Sequence, residues 1–142
     1  MKMLSKNFIS KFLALSLLLL GLTACQSSSA DPLYSPEDLA GNWRRIDSNK
    51  PSLDAMEVEV EGTDAFIRAT NGNSPYFLLG QRKWRRIKPT DGPNFSYEDK
   101  GSNNEFYDGT MTLDKSGPTD YLYLNVKVAG NGNGNRQSWE RF

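Results

Sequence analysis

The residue types that most enzymes use for acid–base or nucleophilic chemistry are scarce in this chain. Its 142 residues include no histidine and a single cysteine, Cys25. A Ser-His-Asp triad, a Cys-His dyad and a zinc site built from histidines or several cysteines are therefore excluded. No serine-hydrolase motif and no phosphate-binding glycine loop follows Cys25. The sequence predicts a protein that is not an enzyme.

Carboxylates are the remaining candidates for chemistry, and each group of them has a simpler structural interpretation. Glu57, Glu59 and Glu61 alternate with apolar residues, which is typical of the solvated face of a strand rather than of a glycosidase pair. Asp114 and Asp120 flank a Gly-Pro turn and offer too few oxygen ligands for calcium. We therefore expect no metal site and no cofactor.

The main concentration of cations is residues 82–88, where five lysines and arginines surround Trp84. In a strand, Arg82, Trp84 and Arg86 share one face, so an inward Trp84 would turn both arginines inward as well. A guanidinium inside a small barrel must be paired or lie near a mouth. We therefore identify Arg82, Trp84 and Arg86 as candidate contacts for the carboxylate or phosphate of a ligand. The alternative, which we favour, is that these cations pair with acidic side chains on neighbouring strands.

Each of the three tryptophans is followed two positions later by an arginine, in the pairs Trp43 and Arg45, Trp84 and Arg86, Trp139 and Arg141. Residues two apart in a strand share a face, so each indole lies beside a guanidinium. If the first and last strands pair antiparallel with Trp43 opposite Arg141, the same register places Arg45 opposite Trp139. We expect this ladder to close the sheet and fix its register, with contacts of about 0.5–2 kcal/mol each.

Short alternating segments between turns must position these side chains. Residues 56–61 alternate apolar and acidic side chains strictly, which predicts a strand with one buried face. Seven further segments of strand-like composition lie between turns rich in Gly, Asn, Asp and Pro. The eight predicted strands are 42–47, 56–61, 65–70, 76–88 with a break near Gly80, 94–99, 105–113, 121–128 and 137–142.

Eight short strands without crossover helices predict an all-β domain over residues 39–142. We expect an eight-stranded antiparallel up-and-down barrel, with a two-sheet β-sandwich as the alternative. A barrel of this size is wide enough to be filled by side chains or to hold one small ligand. The loops 71–75 and 130–135 are expected to gate its mouth.

The segment LAGNWRRI, residues 39–46, resembles the Gly-x-Trp opening of lipocalins. Gly41 and Trp43 match that motif. The resemblance implies a lipocalin-like barrel in which Trp43 sits at the closed end and stacks on an arginine from near the last strand, for which Arg141 is the candidate. The middle lipocalin motif is missing from its expected place, so the resemblance extends to a small lipocalin-like barrel only.

Residues 1–24 have the layout of a secretory signal, with three lysines before an apolar run too short to span a bilayer comfortably. The tetrapeptide that ends at Cys25 resembles the lipobox of bacterial lipoproteins, which implies cleavage before Cys25 and acylation of its thiol. Residues 25–38 are small and polar and include two prolines, which predicts a flexible tether. An uncleaved anchor helix is the alternative.

The net charge of the predicted mature chain is −3, because three of the 17 Lys and Arg residues lie in the signal segment, leaving 14 against 17 Asp and Glu. A nucleic-acid partner is therefore not expected. Gln26 stands where, by the same resemblance, Asp marks retention in the inner membrane. We expect a location in the cell envelope through a lipid anchor, at the outer membrane in a Gram-negative host.

Together these observations predict a non-enzymatic, lipid-anchored envelope protein whose barrel binds a small apolar or amphiphilic ligand in the lipocalin manner. The alternative is a solid β-domain that acts as a protein-interaction or assembly accessory, with residues 82–88 as its contact surface. The expected partners are the membrane, through the lipid anchor, and either a small ligand or an envelope protein.

Overall fold

The computed structural model describes residues 34–47, 55–72, 74–127 and 135–142. Within these ranges, eight antiparallel strands form a closed barrel in which each strand pairs with its neighbours in sequence and the first pairs with the last. The strands are β1 Gly41–Arg45, β2 Glu57–Glu61, β3 Asp64–Ala69, β4 Arg82–Pro89, β5 Asn94–Lys100, β6 Phe106–Asp114, β7 Tyr121–Val126 and β8 Asn135–Arg141. The predicted up-and-down barrel is confirmed, and the sandwich alternative is wrong.

Several sequence predictions fall outside the described residues. These are the signal segment 1–24, the acylation site Cys25, most of the tether and most of the loop 130–135. The last residues of the predicted tether are described and pack on the barrel. Tyr34 lies against the hydrophobic core, and Lys115 Nζ is 2.8 Å from a carboxylate oxygen of Asp38.

The two ends of the barrel differ. The 3₁₀ helix Pro36–Leu39 covers the end from which β1 starts, and Leu39 is fully buried there. We call this the closed end, and the opposite end, where β1 finishes and β4 starts, the open end. No helix among the described residues is long and apolar enough to cross a membrane.

The barrel interior is packed with large side chains. Trp43, Trp84 and Trp139 are all fully buried. Trp84 packs edge-on against Trp139, with ring centroids 5.0 Å apart, and against Tyr97 at 6.0 Å. Because these rings occupy the centre, the described part of the barrel has a filled interior rather than a wide apolar cavity.

The closing seam has the predicted register: Trp43 pairs with Arg141 and Arg45 pairs with Trp139. The Arg141 guanidinium carbon lies 4.4 Å from the centroid of the Trp43 ring, which is a cation–π contact. Arg45 instead forms an ion pair with Asp47, with 2.7 Å between Nε and Oδ1. Of the two expected indole–guanidinium contacts, the described residues show only the one at the closed end.

Arg141 also joins the seam to the segment before β1. Its guanidinium donates hydrogen bonds to the carbonyl oxygens of Asp38 (2.6 Å) and Ala40, and its Nε donates to the Asp120 carboxylate at 2.9 Å. Gly41 has a φ of 110°, a region that an L-residue with a side chain rarely adopts. A single arginine therefore connects β8, the 3₁₀ segment and the turn before β7.

Strand β4 does not follow the expected alternation, because an extra residue interrupts its pairing with β3. Ala65 pairs with Trp84, whereas Phe66 pairs with Arg82 and leaves Lys83 as the extra residue. Such a bulge lets two consecutive side chains face the same way, and both Lys83 and Trp84 are buried. The segment 76–81 is not part of the strand, so the predicted start at residue 76 is wrong.

A second register shift lies further along β4, opposite β5, where Arg86 has a φ of 55°. It returns Ile87 to the interior and leaves Arg86 exposed. The prediction that Arg82 and Arg86 point inward with Trp84 is therefore wrong. The physical reason is that both bulges reset the two-residue period on which the prediction rested.

Candidate functional site

A cleft of about 300 Å³ lies at the open end of the barrel. Its described walls include three cations, Arg45, Lys83 and Lys100, and one carboxylate, Asp99. Apolar surface comes from Phe77, Tyr107 and Val126. The cleft thus combines a cationic floor with apolar walls, an arrangement that suits a ligand with both kinds of surface.

Lys83 and Asp99 form a buried ion pair at the bottom of the cleft. Lys83 Nζ donates to Asp99 Oδ1 at 2.7 Å and to the carbonyl oxygen of Lys100 at 2.7 Å. The nitrogen also lies 5.0 Å from the centroid of the Phe77 ring. Burial lowers the pKa of Lys83, and the Asp99 carboxylate opposes this shift. The two charged side chains of this pair are therefore largely shielded from solvent.

Hydrogen bonds extend from this pair to the closing seam. Gln137 Nε2 donates to Asp99 Oδ2 at 3.3 Å, and Gln137 Oε1 accepts a hydrogen bond from the Trp139 indole at 3.1 Å. Lys100 Nζ donates to Gln81 Oε1 at 2.7 Å. The floor of the cleft is therefore tied through Gln137 to a tryptophan of the seam.

Two buried donors deeper in the barrel have no hydrogen-bond partner within the described part of the chain: the Trp84 indole N–H and the Tyr97 hydroxyl. Burial raises the pKa of Tyr97 well above its usual range, and the negative charge of Asp99 adds to the shift while Arg45 opposes it. The Tyr97 ring lies over Gly109, where a Cβ would come within 2.6 Å of the ring. The glycine makes room for this ring.

The candidate ligand contacts from the sequence lie elsewhere. The side chain of Arg82 is 48% exposed and 3.5 Å from Asp64, and that of Arg86 is 67% exposed and 2.7 Å from Glu98. Both arginines sit on the outer surface beside acidic residues, as the alternative interpretation expected. Trp84 faces the interior. A role for Arg82 or Arg86 in ligand binding stays a prediction.

Sequence reasoning did not bring the polar residues of the cleft together, although Arg45 was named for the seam and Lys83 belongs to the cationic segment 82–88. Two of them had a usable signal: Asp99 is two positions from the buried Tyr97, and Gln137 is two positions from the buried Trp139, so simple alternation places both inside. No such signal marks Lys83, because its side chain points inward only as a result of the first bulge of β4.

Among the described residues, no group of three or more acidic, histidine or cysteine side chains is close enough to hold a metal ion. Comparisons of the chain with protein-family models, with curated proteins and with solved structures found no match. Functional inference therefore depends on the geometry of the barrel.

Proposed function

We propose that this chain is a non-enzymatic, lipid-anchored envelope protein whose barrel binds a small amphiphilic molecule with an acidic group. The open-end cleft, with three cations against one carboxylate beside apolar walls, is the observation that supports this function. The barrel fold is compatible with a lipocalin-like binder. The anchor rests on the sequence alone, through the lipobox that ends at Cys25.

The charge balance of the cleft favours an acidic ligand. Asp47 offsets the charge of Arg45, and Asp99 offsets that of Lys83. Lys100 Nζ is hydrogen-bonded to the neutral amide of Gln81. One positive charge thus remains beside the cleft, and a carboxylate or phosphate group would neutralise it with a charge-assisted hydrogen bond.

The packing of the interior favours an amphiphile over a wholly apolar ligand. A hydrocarbon in the middle of the barrel would have to displace the buried tryptophans, at a cost of several kcal/mol. The apolar side chains that line the cleft are Phe77 and Val126, both buried, and the partly buried Tyr107, and contact with them needs no such displacement. The hydrocarbon part of the ligand then lies against these side chains, and its acidic group points to Lys100.

Ligand binding can be tested with dansyl-undecanoic acid and its methyl ester as matched fluorescent probes. We expect the acid to bind at least tenfold more tightly than the ester. Lys100→Met should bring the acid to the level of the ester, whereas Lys88→Met, on the exposed side of β4, should leave both affinities unchanged. Equal affinity for acid and ester in a folded wild-type protein would exclude the proposed ligand class.

The proposed anchor has its own test. Cells that express the full chain should incorporate radioactive palmitate into it, and Cys25→Ser should abolish the label. A Cys25→Ser chain that keeps the label would exclude acylation at this residue. Fractionation of inner and outer membranes tests the proposed location in a Gram-negative host.

A protein-interaction accessory is the second candidate function, and one observation favours it. Tyr76, Leu78 and Leu79 are 57%, 57% and 69% exposed on the loop before β4. Four of the five cations of β4 lie beside acidic residues, so this loop is a better contact surface than residues 82–88. If Leu79→Asp releases a co-purifying envelope protein while acid binding is unchanged, the accessory function is supported.

A further inference from the structure

The outer face of β6, β7 and β8 carries an ordered array of polar and aromatic residues. The strand register aligns three rows, which are Thr110 with Asn125 and Arg136, Thr112 with Tyr123 and Ser138, and Asp114 with Tyr121 and Glu140. We call these nine residues the tyrosine face. Both tyrosines lie on the central strand β7, Tyr123 between two hydroxyl side chains and Tyr121 between two carboxylates.

The two tyrosines form an aromatic platform in which Tyr123 is exposed and Tyr121 is partly buried. The rings of Tyr121 and Tyr123 are stacked with centroids 6.4 Å apart and planes inclined by 20°. Tyr123 is 48% exposed, and the side chains directly opposite it on the neighbouring strands are Thr112 and Ser138. An aromatic surface is thus bordered on both sides by short hydroxyl side chains.

The outer surface on β1 to β5 has a different chemistry. It is crossed by ion pairs between neighbouring strands, which include Arg44 with Glu57 at 2.9 Å, Arg68 with Glu59 at 2.7 Å and Arg85 with Glu98 at 2.5 Å. The middle row of the tyrosine face carries no charge. A partner that lies on this middle row must therefore satisfy neutral hydrogen-bonding groups and an aromatic surface.

Two open grooves meet at Tyr123. The groove of about 620 Å³ toward the closed end has Tyr34 as a second aromatic wall, with Thr112, Asp114, Lys115 and Ser116 as polar lining. The charge of Lys115 is offset by its ion pair with Asp38. The groove of about 300 Å³ on the other side is lined by Asn125 and Ser138, among others. Both volumes are in the range of small-ligand sites, and their open shape suits a chain that continues past the protein.

We propose that the tyrosine face binds a neutral glycan strand. A sugar ring presents a C–H face that packs on an aromatic ring, and its hydroxyls exchange hydrogen bonds with hydroxyl, amide and carboxylate side chains. Tyr123 supplies the ring, and the surrounding Thr, Ser, Asn and Asp side chains supply the donors and acceptors. A lipid surface or an acidic polymer would call for contiguous aliphatic or cationic surface, and the middle row provides neither.

The proposal is tested by binding of the purified full chain to two soluble probes, the hexamer of N-acetylglucosamine and cellohexaose, measured by calorimetry. We expect wild type to bind at least one of them and Tyr123→Ala to lose at least tenfold in affinity. Tyr123→Trp should keep the affinity, because it preserves an aromatic surface. Tyr76→Ala is the matched control: it removes another half-exposed tyrosine, at the open end, and should bind like wild type.

Several outcomes would overturn this site. These are the absence of binding to both hexamers, equal binding by wild type and Tyr123→Ala, and an equal loss in Tyr76→Ala. Binding to phosphatidylglycerol vesicles that depends on Tyr123, without glycan binding, would identify a lipid surface instead. Tyr123→Ala should leave affinity for dansyl-undecanoic acid unchanged, so the glycan site and the open-end cleft can succeed or fail separately.

Discussion

The two ends of the barrel both bury aromatic side chains with polar groups, but they differ in whether those groups have hydrogen-bond partners. At the closed end, the Trp43 indole donates to the carbonyl oxygen of Leu39 at 2.8 Å, and Arg141 contacts carbonyl oxygens and a carboxylate. Toward the open end, the Trp84 indole and the Tyr97 hydroxyl lack partners among the described residues. Among the described residues, the buried indole at the closed end has a hydrogen-bond partner, and two buried donors toward the open end have none.

This difference means that the two ends contribute unequally to the stability of the fold. A satisfied buried hydrogen bond contributes about 0.5–1.5 kcal/mol to folding, whereas an unsatisfied buried donor costs about 1–3 kcal/mol. A buried ion pair such as that of Lys83 with Asp99 is often less stabilising than apolar side chains of similar volume. The ion pair lines the open-end cleft and the two unpaired donors lie deeper in the barrel, so the open end is the less stabilised of the two ends.

The largest expected effect comes from breaking the buried pair. Asp99→Leu should lower the free energy of unfolding by about 3–5 kcal/mol, because Lys83 is left buried without its counter-charge. The double variant Lys83→Met with Asp99→Leu should be as stable as wild type or up to about 4 kcal/mol more stable. Urea unfolding measures both. A double variant no more stable than the single one would contradict this view of the open end.

At the closed end, Arg141→Ala should lower the free energy of unfolding by about 2–4 kcal/mol. It removes the stack on Trp43, the ion pair with Asp120 and the donors to two carbonyl oxygens. Arg68→Ala is the matched control from β3, since its ion pairs with Glu59 and Glu61 lie on the outer surface and should contribute less than about 1 kcal/mol. An unchanged unfolding midpoint for Arg141→Ala would show that the seam does not depend on this arginine.

The closed end could be predicted from the sequence to a degree that the open end could not. The spacing of Trp43, Arg45, Trp139 and Arg141 was enough to set the register of the seam, because strand pairing follows a two-residue period. The eight strands were predicted from alternation together with strand-like composition between turn-forming segments. The sequence pattern did not show that Arg45 would pair with Asp47 instead of stacking on Trp139.

In β4, two bulges made the sequence pattern misleading. They turned Lys83 inward and left Arg82 and Arg86 outside, and neither bulge is marked by a glycine. A bulge depends on how two strands meet across the barrel, and local composition does not encode this. The cleft was therefore missed, although alternation around Tyr97 and Trp139 was sufficient to place Asp99 and Gln137 inside.

Two of the three buried tryptophans, Trp43 and Trp84, allow a more closely matched comparison of the two ends, with a smaller expected effect on stability. Trp43→Phe and Trp84→Phe remove the same atoms from fully buried positions, but only the first removes a donor that has a partner. We expect Trp43→Phe to be more destabilising by about 1–3 kcal/mol, since it leaves the Leu39 carbonyl unsatisfied while Trp84→Phe relieves an orphaned N–H. Equal losses in urea unfolding would mean that the Trp84 donor is satisfied in solution.

The smallest expected effect is the pH dependence of the open end. Burial lowers the pKa of Lys83 in the folded state, below its ordinary value of about 10.4. Between these two pKa values the unfolded chain binds more protons than the folded chain, so the free energy of unfolding should rise with pH across that window. The double variant without Lys83 and Asp99 should lack this rise when both are unfolded in urea at a series of pH values.

The titration of Tyr97 changes the free energy of unfolding in the opposite direction, and it limits the pH range of that experiment. Its pKa is raised well above the usual range, so above about pH 10 the folded chain keeps a proton that the unfolded chain loses, and stability should fall. Tyr97→Phe removes this fall and leaves the Lys83 window intact. If the free energy of unfolding still rises with pH in the double variant, the rise comes from another group. If the rise is lost in the double variant, it comes from Lys83.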